Sequence, residues 1–210
     1  ILGIIVNMTQ GFPRALEAIA GILANRPLMT FEHLQQVKIN SDHLIADWVN
    51  HAEDCLDTDQ RMVMQALAVF ARPVSETAIR FLLDPYIAMT GIDIPFTLHR
   101  LQRGQYITRN HVTGDISIHP LDKDYNYNAL AEGGAELGLI SAGERFLRQM
   151  NILPPVEDKI DEWIFTRLTL EKRAGDYYAQ LRGQPDQWKT IHDLQPYFLE
   201  YEHRFRATDY

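Results

Sequence analysis

At 210 residues, with 46% hydrophobic and 23% charged side chains, the chain has an ordinary globular composition and ample length to bury a core. Its 20 basic residues against 28 acidic ones leave a net charge of −8, which argues against phosphate-backbone binding as the main task, because nucleic-acid domains carry a basic surplus. The single cysteine, Cys55, excludes an internal disulfide and a cysteine zinc site; no apolar run approaches the ~20 residues of a membrane span and no signal peptide is visible, so the cytoplasm is the expected compartment.

The chain opens at Ile1 inside an apolar helical pattern and stops at Tyr210 in mid-pattern, which reads as a piece of a longer protein. Residues 1–53 predict a small helical bundle. Leu2, Ile5, Val6 and Met8 give a first helix that runs into Thr9-Gln10-Gly11. Gly11-Phe12-Pro13 predicts a turn, with Pro13 at the start of a second helix that places Leu16, Ile19, Ala20 and Leu23 on one face. That helix breaks at Asn25-Arg26-Pro27. Thr30, His33 and Leu34 start a third. Ser41-Asp42 are placed to cap a fourth, with Leu44, Ile45 and Trp48 inward.

Residues 54–130 predict a winged helix. Leu67, Val69 and Phe70 end one helix, Val74-Ser75 is a break with Ser75 as cap, and Ile79, Leu82 and Leu83 recur on the next. After Gly91 a third helix runs from about Ile94, with Pro95 in its first turn, to Gly104. Gln105–Thr108 and Ile116–Ile118 are short β-prone runs around the polar segment Asn110–Asp115, a hairpin signal. Asp122–Leu130 closes the unit as a helix.

Residues 131–210 predict a helical linker and the start of a tetratricopeptide-like repeat region. Ala131–Gly134 is the linker, and a helix over Glu136–Asn151 ends at Pro154-Pro155. Ile164, Leu168, Ala174, Tyr177 and Leu181 mark a long amphipathic helix over Asp161–Arg182, which breaks at Gly183-Gln184-Pro185. Thr190 to Asp193 has capping-box form and opens a helix with Leu194, Phe198, Tyr201 and Phe205 on one side and a Glu200–Arg204 pair. The fold class is therefore mainly α: helical bundle, winged helix with a short β-hairpin, and α-helical repeat-like C-terminal segment.

Catalytic signatures are missing. None of the 12 glycines lies in a phosphate-loop or dinucleotide frame, and neither a zincin motif nor a nucleophile elbow occurs. Acid pairs such as Asp122 with Asp124, and Asp161 with Glu162, read as solvated helix faces, and no catalytic residue or metal site is assigned. The aromatic set Trp163, Tyr177, Tyr178, Trp188, Tyr197 and Phe198 reads as helix-on-helix core rather than a ligand cage.

Two short elements stand apart. Gly11-Phe12-Pro13-Arg14-Ala15-Leu16 resembles the G-x-P-x-A-L motif of NB-ARC signal-transduction ATPases, the class with apoptotic ATPases and plant disease-resistance proteins, and Ile118-His119-Pro120-Leu121 falls where that family places a histidine at the end of its winged helix. The order bundle, winged helix and repeats follows the same family. The resemblance implies ATP or ADP as cofactor, with magnesium and the phosphate loop in an upstream domain. It implies Pro13 against the adenine, with Gly11 and Phe12 in the same turn, and His119 reaching the β-phosphate of ADP. Pro120 departs from the acidic residue that plant members show after this histidine. Plain helix initiation at Pro13 and a histidine satisfied inside the wing junction are the competing readings of these residues.

The implied function is the lid and lever of an ATP/ADP-dependent switch that couples nucleotide state to a repeat-type sensor of a protein or ligand, with homo-oligomerisation on activation. Two other readings stand beside it. A winged-helix transcriptional regulator would use His99, Arg100 and Arg103 on its third helix with Arg109 and His111 in the wing, against the charge of −8. A non-catalytic interaction scaffold would use neither nucleotide nor DNA.

Overall fold

The computed structural model describes residues 2–26, 28–37, 39, 41–133, 165–184, 186 and 188–207. Ten α-helices and one two-stranded ribbon are found among them, so the fold is mainly α. The chain divides into two compact units: Ile1–Arg80 with Thr90–Ala129, and Phe81–Met89 with Leu130–Tyr210. The expected break at Pro27, the linker end at Gly134, the helix over Glu136–Asn151 with Pro154-Pro155, the segment from Asp161 to Ile164 with Trp163, and the break at Pro185 lie outside the described residues.

In the first unit, helices α1 (Leu2–Thr9), α2 (Pro13–Asn25), α3 (Phe31–Gln35) and α4 (Leu44–Glu53) form the bundle. Thr30 and His33 close the capping box of α3. Helix α4 is preceded by a 3-10 turn over Ser41–His43, so His43 rather than Ser41 or Asp42 takes the cap position, and it makes no side-chain cap bond. Leu44 and Trp48 point inward as expected, and the Trp48 indole N–H donates to the Met8 carbonyl at 3.2 Å. The inward stripe of α2 differs from expectation. Ala15, Ala18, Ile19 and Ile22 are buried, whereas Ala20 and Leu23 are exposed. The rotation follows from close approach: a Cβ built on Gly21 would lie 2.6 Å from the Gly104 carbonyl oxygen and 3.0 Å from the Tyr106 ring. Small residues therefore set which face of α2 packs.

The winged helix follows with α5 (Thr58–Phe70), α6 (Glu76–Thr90), α7 (Ile94–Arg103), β1 (Ile107–Arg109), β2 (Ile116–Ile118) and the closing α8 (Pro120–Ala129). Helix α5 starts at a reciprocal Asp57/Gln60 capping box and ends where Ala71 turns left-handed at φ 57°. Every residue from Met62 to Phe70 is buried, which makes α5 the central helix of the unit. Ser75 caps α6 through the Ala78 N–H as expected, and Asp93 caps α7 through the Phe96 N–H. Strands β1 and β2 pair antiparallel with Thr108 opposite Ser117. Val74, read in the sequence as part of a break, exchanges two backbone hydrogen bonds with Ile116 and adds a one-residue third strand.

In the second unit, α9 (Arg167–Gln180) and α10 (Gln195–Arg206) pack against each other as a pair joined through a 3-10 turn over Ile191–Leu194, whose Thr190/Asp193 capping box matches the sequence reading. The buried face of α10 is not the expected one. Leu199, Glu200, His203 and Ala207 are buried, while Phe198, Tyr201 and Phe205 are 58–63% exposed. A polar network accounts for the reversal. His203 Nδ1 lies 2.6 Å from Glu171 of α9, its ring stacks on Tyr178 at 5.4 Å, and Glu200 pairs with Arg204 at 2.9 Å and with Arg182. On α9 the buried residues include Leu170, Ala174 and Tyr178, whereas Leu181 is half exposed and Phe198 is no core residue. Residues Phe81–Met89 of α6 belong to this unit. Phe81 packs on Tyr177 at 5.5 Å and Tyr86 on Phe165 at 5.0 Å.

Candidate functional site

The Gly11-Phe12-Pro13 turn links α1 to α2. Gln10 and Gly11 both take positive φ, 51° and 76°, a conformation glycine adopts without strain. The Gly11 N–H donates to Val6 and the Phe12 N–H to Thr9, so the turn is hydrogen-bonded rather than loose. Pro13 then takes the first helical position, where a missing N–H costs nothing. Gly11, Phe12 and Pro13 are all exposed.

His119 sits at the other motif position. It is exposed and acts as the N-cap of α8: its Nδ1 accepts from the Leu121 N–H at 3.2 Å and its carbonyl accepts from Lys123 at 2.9 Å. A neutral ring that accepts at Nδ1 carries its proton on Nε2. The histidine is thus satisfied in the wing junction and also presents a donor to solvent.

One ion pair joins the two elements. Arg14, the residue after Pro13, places Nη2 against the carboxylate of Asp122 in the first turn of α8; its Nη1 also reaches Glu17 at 3.0 Å and the Gln105 carbonyl at 3.3 Å. Asp122 is 0% and Arg14 8% exposed. The expectation that Asp122 lies on a solvated face is therefore wrong. Chain packing closes over it, and Arg14 supplies the counter-charge. Burial works against the Arg14 charge, but contact with Asp122 and Glu17 outweighs it and pushes the guanidinium up. For Asp122 burial wins, and its carboxyl is raised despite Arg14.

A second buried carboxyl lies beside this pair. Glu53, at the end of α4, is 2% exposed, and neither of its oxygens completes a hydrogen bond. Burial, then the Asp122 charge, pushes its pKa up to about 8; the Asn126 amide and the Arg14 and Arg61 charges offset this only in part. Burial therefore favours the protonated form of Glu53 near neutral pH. The Tyr106 hydroxyl closes the cluster by donating to the Ala52 carbonyl at 2.9 Å. Sequence reading missed Arg14, Glu53 and Asp122 as a unit. The one available signal was Arg14 standing in helical register with Ala18 and Ile22, a charge on an apolar stripe.

The basic residues expected on α7 and the wing are largely engaged. Arg100 pairs with Asp57 and lies over the Phe96 ring, and Arg109 pairs with Glu76 at 3.1 Å. Arg103 has no acidic partner among the described residues. A cleft of about 230 Å³ lined by Ala24, Asn25, Arg100 and Arg103 lies where α2 and α7 both end, and the two guanidiniums answer the negative ends of those helices. His99 and His111 are exposed. No helix among the described residues is long and apolar enough to cross a membrane, and no group of three metal-binding side chains occurs among them.

Comparison of the chain with protein-family models, with curated proteins and with solved structures returned no match.

Proposed function

We propose that this chain is the regulatory part of an NB-ARC-type signalling switch, a lid and lever for ATP or ADP held, with magnesium, by an upstream phosphate-loop domain. One observation carries the reading: the exposed Gly11-Phe12-Pro13 turn and the exposed His119 cap flank a single buried ion pair, Arg14 with Asp122. Two surface groups held through a rigid buried contact suit a site assembled from separate segments. Pro13 offers a flat apolar face for a base, and His119 offers its Nε2–H to a phosphate oxygen. Arg14 is committed to Asp122 and is not a phosphate ligand. The exposed Phe198, Tyr201 and Phe205 face of α10 suits a sensed protein partner, and homo-oligomerisation on activation follows from the same family logic.

The test uses a chain extended upstream by roughly 150 to 200 residues, the usual domain scale. Purified without added nucleotide and then denatured, it should release stoichiometric ADP, and the His119→Ala variant should retain less. An extended chain that releases no nucleotide overturns the reading. Steeply salt-dependent duplex binding would favour the DNA-binding regulator instead.

A further inference from the structure

We propose that Arg14, Asp122 and Glu53 form a proton-loaded latch, in which a neutral Glu53 holds the Gly11–Pro13 turn and the His119-capped start of α8 together, and loss of its proton loosens both at once. The latch needs no nucleotide, so its fate and that of the switch reading are separate outcomes.

Three ionisable groups from three helices, Arg14 of α2, Glu53 of α4 and Asp122 of α8, are each less than 10% exposed; Arg14 pairs with Asp122, and Glu53 lies close enough to feel both charges. One guanidinium can balance one carboxylate. A second ionised carboxylate there would be buried without a counter-ion, a strongly unfavourable state that is avoided by binding a proton. Hydrogen bonding relieves this only in part. Asp122 Oδ1 and Arg14 Nε lack partners, and the Asn126 amide, which also donates to the Asp122 carbonyl at 2.9 Å, offsets the burial of Glu53 only in part.

The surroundings make Glu53 the group that gives way. From α2 it feels Arg14, from α5 Arg61, and from α8 Asp122 and the Asn126 amide. Tyr125 of α8 and Tyr106, both with phenols raised first by burial, face the same carboxyl, and Glu17 and His119 act on Asp122 rather than on Glu53. Among the described residues the cations acting on Glu53 are Arg14 and Arg61, and Arg14 is already shared with Asp122 and Glu17. An ionised Glu53 must therefore compete with Asp122 for Arg14. Either outcome weakens the ion pair that ties the first turn of α2 to the first turn of α8.

The geometry supplies its own reporters. The Gly11 and Phe12 amides are bonded within the first turn, and the Leu121 and Lys123 amides are bonded to His119. The Leu170 and Ala207 amides, bonded to Thr166 and His203 in the other unit, serve as internal controls.

The experiment is amide hydrogen exchange on the 210-residue chain from pH 6.5 to 9.5, corrected for base-catalysed intrinsic exchange. Protection of the four reporter amides should fall together by about tenfold or more around pH 8, while the controls hold. The Glu53→Gln variant should keep its protection across the range. Asp122→Asn, which removes the tie itself, should leave the four reporters weakly protected already at pH 6.5. Uniform loss at all six amides, no loss, or a Glu53→Gln profile that follows the wild type overturns the latch. Should Glu53→Gln fail to fold, the carbon-13 carboxyl shift of Glu53 in the wild type decides: a midpoint near that of a solvated glutamate, about 4.3, overturns it.

Discussion

Arg173 donates through Nη2 to the carbonyl oxygen of Phe81, the helical acceptor that Pro85 leaves without an N–H. Its Nε reaches the neighbouring Leu82 carbonyl at 3.1 Å, and the guanidinium lies over the Phe81 ring at 5.2 Å. A side chain from α9 thus repairs the hydrogen-bond ladder of α6 where proline breaks it. Arg173→Met should lower unfolding free energy by about 1–3 kcal/mol, the usual effect of leaving an acceptor inside the fold unpaired. In a Pro85→Ala background the same change should matter less, because the backbone amide restored by that substitution can serve Phe81. A double-mutant cycle in urea checks this, and strictly additive losses would refute it.

Breaking the Arg14–Asp122 pair from one side strands a buried charge. Asp122→Ala should cost about 3–5 kcal/mol, and Arg14→Ala a similar amount. Removing both should cost clearly less than their sum, since neither charge is then left alone. Denaturant midpoints of the four proteins settle the matter, provided their slopes agree.

Glu53 makes stability depend on pH with a definite sign. Its folded-state pKa of about 8 lies above the 4.5 of a free glutamate, so the folded chain binds the proton more tightly. That contribution is fully present below about pH 4.5 and is lost as pH rises through about 8. Each tenfold difference in proton affinity is worth about 1.4 kcal/mol, so the total is on the order of a few kcal/mol. Thermal melts of Glu53→Gln between pH 5 and 9 should show a flatter curve than the wild type, with the largest gain at the alkaline end. Parallel curves would refute the assignment.

Gly21 should resist even alanine. The added methyl would meet the Gly104 carbonyl and the Tyr106 ring, backbone and a buried aromatic that have little room to move. Overpacking of this kind costs about 1–3 kcal/mol. Gly3→Ala, where a Cβ meets nothing within 4 Å, is the matched control and should be neutral or slightly stabilising. Equal melting temperatures for the two variants would contradict the account.

What was legible in the sequence was local. Ser75, the Thr190/Asp193 box and the Ile116–Ile118 strand were readable because capping and hairpin chemistry act over a few residues. The faces of α2 and α10 were not. Their packing is set by partners distant in the chain: Gly104 and Tyr106 against Gly21, and Glu171 against His203. Hydrophobic periodicity counts apolar side chains, so it pointed to Phe198, Tyr201 and Phe205 where a paired His203 is the buried residue. The same limit hid the candidate site. Pro13 and His119 were visible as motif residues, whereas Asp122 looked like one more surface carboxylate until Arg14, 108 positions away, was found against it.

The Val74–Ile116 bridge has a bearing on solubility. Because the Ile116 N–H and C=O are both bonded to Val74, on the side of β2 turned away from β1, that point of β2 offers no free backbone to a foreign strand. The outer edge of the ribbon is β1, only three residues long and ending in the charged Arg109. Short, charge-tipped edges make poor templates for strand addition. A wing with long, bare strands would invite neighbouring molecules to extend it into a shared sheet; this one closes that route with a single valine.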